Sequence, residues 1–246
     1  LLSLLSGERK IADLRSDVET RDTTILHVLE EFGELGLTTK SQGVYRLSSL
    51  GLLETKVFKE FISTTEVIEK FKDFWLSHNV ADIPPYLLLN LGALSNASIV
   101  RAEVTDLNLV HEKIVNILKS SKRIRGISPV FHGDYVPVVE KLLKEGNSVD
   151  LIFTPKVLKK VSDLAEIGLI KKYVLEGKLK IFLNEDVKIA LTVAEDSFSL
   201  GLFMLNGEYD YGIDLMSMSK EAIEWGEHLF EDVAKRSRLM DLKSLI

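Results

Sequence analysis

The side chains that can do chemistry fall into two groups. The first lies near the N-terminus: Arg21, Thr23, Thr24 and His27, then Lys40, Gln42, Tyr45 and Arg46. Guanidinium, hydroxyl and amide groups bond to base edges and phosphates, and arginine grips guanine bidentately. The second group comprises Ser128, Phe131, His132 and Tyr135, then Thr154 and Lys156, each cluster directly following an apolar, β-like run. Asn184-Glu185-Asp186 follows a third run. Ligands in open α/β sheets tend to sit beyond the carboxyl ends of strands, so these residues can converge on a small polar molecule. Plainer roles compete. His27 can be a surface histidine, His132 a loop cap, Thr154 only a helix cap and Lys156 a solvated charge.

No catalytic, metal or cofactor set emerges beside them. The chain has no cysteine, which removes disulfides, thiolate metal sites and cysteine nucleophiles and fits a reducing, cytoplasmic setting. Its five histidines show no metal-ligand spacing. Gly33-Glu34-Leu35-Gly36 lacks the third glycine of a phosphate loop, and no Gly-x-Ser-x-Gly elbow occurs.

The elements that must position the first group are short. Leu1, Leu2, Leu4 and Leu5 read as a helical tail ended by Gly7, and Ile11, Leu14 and Val18 as a second helix. A third helix, capped by Thr20 or Asp22, carries Ile25, Leu26, Val28, Leu29 and Phe32 at helical spacing. Two β-like runs, Leu37 to Lys40 and Val44 to Leu47, flank the turn residues Ser41-Gln42-Gly43. Three helices and a hairpin outline a winged helix-turn-helix over residues 1–56, with Arg21, Thr23, Thr24 and His27 on the first turns of the groove-facing helix. Lys40, Gln42, Tyr45 and Arg46 then lie on an acid-free wing. Solvated side chains on a small helical domain are the competing account, because Glu30, Glu31 and Glu34 crowd the same helix.

Leu50, Leu53, Val57, Phe61, Ile68, Phe71 and Trp75 repeat at 3/4 spacing, which predicts a linker and dimerisation helix over 57–85, bent near Thr64-Thr65 and stopped by Pro84-Pro85. Beyond it, strands and helices alternate: β-like runs at 99–104, 123–128 and 149–153, with helices at 107–120, 135–145 and from Pro155. Consecutive β-like runs at 179–183, 188–193, 198–204 and 209–215 and a helix opened by Ser219 follow. The expectation for 86–246 is a mixed, partly parallel α/β sheet domain of effector type, so the chain is α+β overall.

Two sets of residues carry a family resemblance. Tyr45-Arg46-Leu47-Ser48-Ser49-Leu50-Gly51 resembles the wing exit of bacterial and archaeal winged-helix regulators. Gly126-Ile127-Ser128-Pro129-Val130-Phe131-His132, Val149 to Thr154 and Ala222-Ile223-Glu224-Trp225-Gly226-Glu227-His228-Leu229-Phe230 resemble archaeal regulators that carry a methanogenesis regulatory protein middle domain behind a winged helix. Leu191-Thr192-Val193 and Leu200-Gly201-Leu202-Phe203 are similar to it too. The resemblance implies a DNA-binding transcriptional regulator and supplies no ligand residues. If that α/β domain is distantly phospholipase-D-like, a His-x-Lys-x₄-Asp motif is due; His111-Glu112-Lys113 begins one, but Leu118 stands where the aspartate belongs.

Composition bounds the rest. The 246 residues hold 31 basic and 37 acidic side chains, for a net charge of −6, spread almost evenly along the chain. No basic domain hides behind an acidic one, so DNA binding would rest on local cations and few phosphate contacts. No apolar stretch reaches the roughly 20 residues of a membrane span. The first residue is Leu rather than Met, so further residues are expected before it. The expected partners are double-stranded DNA, a second copy of the chain and a small-molecule or protein effector, with no membrane. The alternatives are a scaffold whose winged helix no longer binds DNA and, from a different class, a small-molecule hydrolase in the C-terminal domain.

Overall fold

The computed structural model describes residues 1–240. The chain forms two compact units, the first spanning Leu1–Thr65 and the second beginning at Glu66.

In the first unit a 3-10 turn (Leu2–Ser6) precedes helix α1 (Ile11–Val18) and helix α2 (Asp22–Glu34). Asp13 Oδ2 accepts from the Lys10 amide at 2.9 Å, which satisfies one free donor at the start of α1. The residue before α2 is Arg21, and no side chain caps that helix, in contrast to the expected Thr20 or Asp22 cap. Strands β1 (Thr38–Ser41) and β2 (Val44–Leu47) pair antiparallel, Ser41 opposite Val44. The turn between them is therefore only Gln42-Gly43. Both residues have positive φ (48° and 79°), the two-residue turn whose twist suits a hairpin. Leu4, Leu14, Ile25, Leu29 and Tyr45 form the core of this unit.

Helix α3 (Ser49–Lys70) leaves the hairpin through a contact that explains the Leu-Ser-x-x-Gly pattern. Ser48 Oγ donates to the Gly36 carbonyl at 2.5 Å and accepts from the Gly51 amide at 3.0 Å, capping the helix. A Cβ on Gly51 would overlap the backbone carbonyl of Leu37, and backbone cannot swing aside. Gly51→Ala is therefore expected to destabilise the first unit by about 3 kcal/mol or more. Urea titration followed by amide exchange in β1 and β2 checks this; unchanged protection at Leu37 and Tyr45 would contradict it.

The helix is not broken at Thr64-Thr65. Thr65 Oγ1 bonds back to the Phe61 and Ile62 carbonyls, and α3 continues to Lys70. The interruption falls at Phe71, after which α4 (Lys72–Ser77) begins. Phe71 is buried in the core of the second unit, while Leu53, Val57 and Phe61 are exposed.

The second unit continues with α5 (Pro85–Leu88), a 3-10 turn (Leu91–Leu94), β3 (Ser98–Arg101), α6 (Leu109–Ser120), β4 (Arg123–Ser128) and α7 (Tyr135–Lys144). Then come β5 (Ser148–Phe153), α8 (Pro155–Leu164), α9 (Ile167–Leu175), β6 (Leu179–Leu183), β7 (Ile189–Ala194), β8 (Phe198–Leu202) and β9 (Ile213–Ser217). Helix α10 (Lys220–Lys235) and β10 (Arg238–Leu239) end the described chain. One mixed eight-stranded sheet results, in the order β10-β6-β5-β4-β7-β8-β9-β3. Strands β6, β5 and β4 are parallel, and the rest pair antiparallel.

Both sheet faces are covered. One core joins Ile127, Ile152, Leu191, Leu200 and Leu215 to Trp225 and Leu229 of α10 and to Phe74, Leu87 and Leu94. The other joins Ile124, Val149 and Ile181 to Leu118, Leu142, Val157 and Ile170 of α6, α7, α8 and α9. The α10 segment is a packing device. Trp225 Nε1 donates to the Leu87 carbonyl at 3.0 Å. Gly226 lets the helix approach the sheet, because a Cβ there would come within 2.7 Å of Phe198 and 2.8 Å of Val193. Glu227 bridges Arg123 and Arg125, both at 2.5 Å, and Glu231 joins Arg125 at 3.0 Å.

Candidate functional sites

Arg21, Thr23 and Thr24 stand exposed at the start of α2, with His27 one turn on. His27 Nε2 lies 3.6 Å from Glu31 and is highly exposed. Lys40, Gln42 and Arg46 are exposed on the hairpin, Gln42 at its tip. Arg46 donates to Thr39 Oγ1 at 3.1 Å and lies 3.7 Å from Glu8, both exposed contacts that a phosphate can replace. Tyr45 differs from the rest of its group. It alternates onto the inner face of β2 and is buried at 5% exposure, so its ring holds the hairpin on the helices. Its polar service is indirect: Lys40 Nζ lies 5.2 Å from the ring centroid.

The second site is a cavity of about 830 Å³ inside the second unit, between the sheet and the α6, α7, α8 and α9 layer. Its origin is in the alternation of the antiparallel strands. Phe198, Leu200 and Leu202 fill the α10 side, as do Ile213 and Leu215. Their alternates Ser199 and Asp214, with Ala190 and Thr192 of β7, line the cavity. These short side chains leave space that no bulky residue fills.

Asp214 is 2% exposed. Its Oδ2 accepts from Ser199 Oγ at 2.5 Å, and its Oδ1 has no hydrogen-bond partner. Burial, opposed by the Ser199 hydrogen bond and reinforced by the Asp210 charge, raises its pKa from 3.8 to about 7. Gly201 makes room for the carboxylate: a Cβ there would meet Tyr209 Oη at 2.5 Å and Asp214 Oδ1 at 2.6 Å.

Aromatic rings line the same cavity. His111 from the first turn of α6 stacks on His132 (4.7 Å between centroids) and on Tyr135 of α7 (5.0 Å). Tyr211 meets His132 edge-on at 5.8 Å and Tyr209 at 4.8 Å. His111 Nδ1 and the Tyr135 hydroxyl are 3.1 Å apart, and His111 Nε2 lies 3.2 Å from Asp134. Burial and the neighbouring His111 hold the His132 imidazole below its usual pKa, and burial pushes the Tyr135 and Tyr209 hydroxyls up.

Of the residues expected at this site, Ser128, Phe131, His132 and Tyr135 line the cavity. Ser128 is turned to its own loop, donating to the Val130 carbonyl at 2.7 Å. Thr154 and Lys156 are not among the lining residues; Thr154 Oγ1 accepts from the Val157 amide at 3.3 Å and caps α8. His111, Ser199, Tyr209, Tyr211 and Asp214 were not anticipated. Among the described residues no group of three or more His, Asp or Glu side chains could hold a metal ion, and no helix is long and apolar enough to cross a membrane.

Comparison with known proteins connects both units to one family. Residues 1–66 match the model of the N-terminal domain of the methanogenesis regulatory protein FilR1, and residues 107–236 match that of its middle domain. The FilR1 of Methanothrix harundinacea (strain 6Ac) is 33% identical over 98% of this chain, which spans 55% of that protein, about half its length. Among solved structures, the archaeal chromatin protein TrmBL2 is 15% identical, with a TM-score of 0.47 over 96% of this chain and 90% of its own. NucT from Helicobacter pylori is 15% identical, with a TM-score of 0.45 over 58% of this chain and 98% of its own. Both likenesses lie below a TM-score of 0.5 and assign no activity. The family itself rests on the sequence matches to both units, and by them this chain belongs to the FilR1 family of methanogenesis regulatory proteins.

Proposed function

We propose that the chain is a sequence-specific, DNA-binding transcriptional regulator that acts as a dimer and senses a small molecule in its second unit. The observation that carries the DNA reading is the exposed set Arg21, Thr23 and Thr24 at a helix start, beside a two-stranded hairpin bearing Lys40 and Arg46. In the winged-helix reading, α2 lies in the major groove and the hairpin follows the adjacent backbone. The naming of the relative as a regulatory protein supports this over the hydrolase reading. Selection of duplexes from a random library with the intact chain tests it. Enrichment of one motif is expected, and none would favour the scaffold reading.

Support for the dimer comes from α3. Leu50, Leu53, Val57 and Phe61 are 49%, 65%, 71% and 63% exposed along one stripe, an apolar seam that the described residues leave largely uncovered. Its 3/4 spacing is that of a helix pair, and a two-fold pairing of identical seams is self-complementary. Phe61→Arg is expected to convert dimer to monomer in sedimentation velocity without loss of folding. A monomeric parent chain would refute the pairing.

Support for sensing comes from the cavity, whose volume falls within the range of small-ligand sites. A ligand that binds one state of the second unit more tightly shifts its population and so the operator affinity. Metabolite screening for a change in that affinity tests this.

A further inference from the structure

The sensing reading leaves the ligand's chemistry open, and the cavity wall narrows it. Resting on that reading, we propose that the cavity takes an organic cation, an amine with an apolar body, whose charged head sits between Asp214 and the His132–Tyr135–Tyr211 rings.

Three independent observations point the same way. First, Asp214 Oδ1 is buried and unpartnered while lining the cavity, so an acceptor waits there for a donor from outside the fold. A buried acceptor without a donor is costly, and among the described residues no side chain donates to it. Second, the aromatic residues Tyr135, Tyr209, Tyr211, His111 and His132 line the same cavity, packed with centroids 4.7–5.8 Å apart. Ring faces attract ammonium groups, and an aromatic wall beside a carboxylate selects a cation over a neutral polar head. Third, the charged groups around the space are mostly acidic. Glu112, Asp134, Glu140 and Asp214 line it against the single ammonium of Lys119. His132 does not reverse this balance, because burial favours its neutral form.

The remainder of the lining is aliphatic, including Leu151, Val157, Val161 and Ile170, and can receive a hydrocarbon body. Ammonium hydrogens would bond to Asp214 Oδ1, leaving Ser199 on Oδ2. No bond is made or broken; the step is binding alone. An anionic ligand would instead bring its charge against Asp214.

Three probes of one shape test the assignment on the full chain: 4-phenylbutylamine, 4-phenylbutanol and 4-phenylbutyrate, titrated by calorimetry at pH 8. The amine is expected to bind at least tenfold more tightly than either analogue. Asp214→Asn should cut amine affinity at least tenfold and leave the alcohol unchanged. Tyr211→Leu, at a position 58% exposed, should weaken the amine about threefold and leave the melting temperature little changed. Equal binding of the alcohol or butyrate overturns the cation assignment while leaving a ligand-binding cavity. Binding of none of the three also overturns it, and the sensing reading then stands or falls on the metabolite screen alone.

Discussion

Charge reversal at Arg21 and Arg46 together, each to glutamate, is expected to lower the affinity of the intact chain for its selected duplex by at least a hundredfold. The first change removes a group placed to grip a base from the start of α2, a contact worth about 1–3 kcal/mol. The second turns a phosphate attraction into a repulsion. In a two-fold dimer each loss counts twice. Both residues are exposed, and the ion pair that Arg46 makes with Glu8 at 3.7 Å is solvent-exposed. Such pairs contribute little to stability, so the variant should fold with an unchanged melting temperature. Binding by fluorescence anisotropy separates the outcomes. Retained DNA affinity would remove α2 and the hairpin from the interface and favour the scaffold reading.

Asp214→Asn is expected to be more stable than the parent at pH 8, by up to roughly 4 kcal/mol. The sign follows from linkage. A carboxyl whose pKa is about 7 in the fold and 3.8 when free binds its proton more tightly in the folded state. That proton's stabilising effect is fully present below pH 3.8 and is lost as pH rises toward 7. The parent's stability should therefore fall over this window through Asp214, and the asparagine variant should lack that component. Urea unfolding of both chains at pH 4, 6 and 8 checks it. Equal stability at pH 8 would mean that the carboxylate is not desolvated. The same substitution that strengthens the fold should weaken amine binding.

Much of this architecture was legible from local pattern. Strands at Arg123–Ser128 and Leu179–Leu183 fall where their apolar runs end, and Thr154-Pro155 opens α8 as cap and first-turn residue should. Gly51 and the α10 block were visible as signatures, but their reasons were not. One permits a backbone approach to Leu37, and the other closes Trp225, Gly226 and Glu227 onto the sheet. No break falls at Thr64-Thr65, because threonine bonding to the preceding turn is compatible with a continuous helix.

The cavity was half legible. Position after a strand found His132 and Tyr135 but also drew in Thr154, whose hydroxyl is used by its own helix. Asp214 left a readable signal, a carboxylate between Ile213 and Leu215 where alternation puts it on the opposite face, with Ser199 and Gly201 in β8 doing likewise. What sequence could not supply is that α6 and α7 pack so as to stack His111 on His132 and Tyr135. Tyr45 was misassigned for a simpler reason: period-two alternation in β2 places it opposite Arg46, inside the unit.

The salt dependence of binding to the selected duplex tests the central claim most directly. In the proposed dimer Lys40 and Arg46 of each protomer meet phosphates, about four in all, while Arg21 grips a base. The logarithm of the association constant should then fall against the logarithm of salt with a slope of about −3.6. A slope near zero, or no duplex bound by the intact chain at low salt, would contradict it.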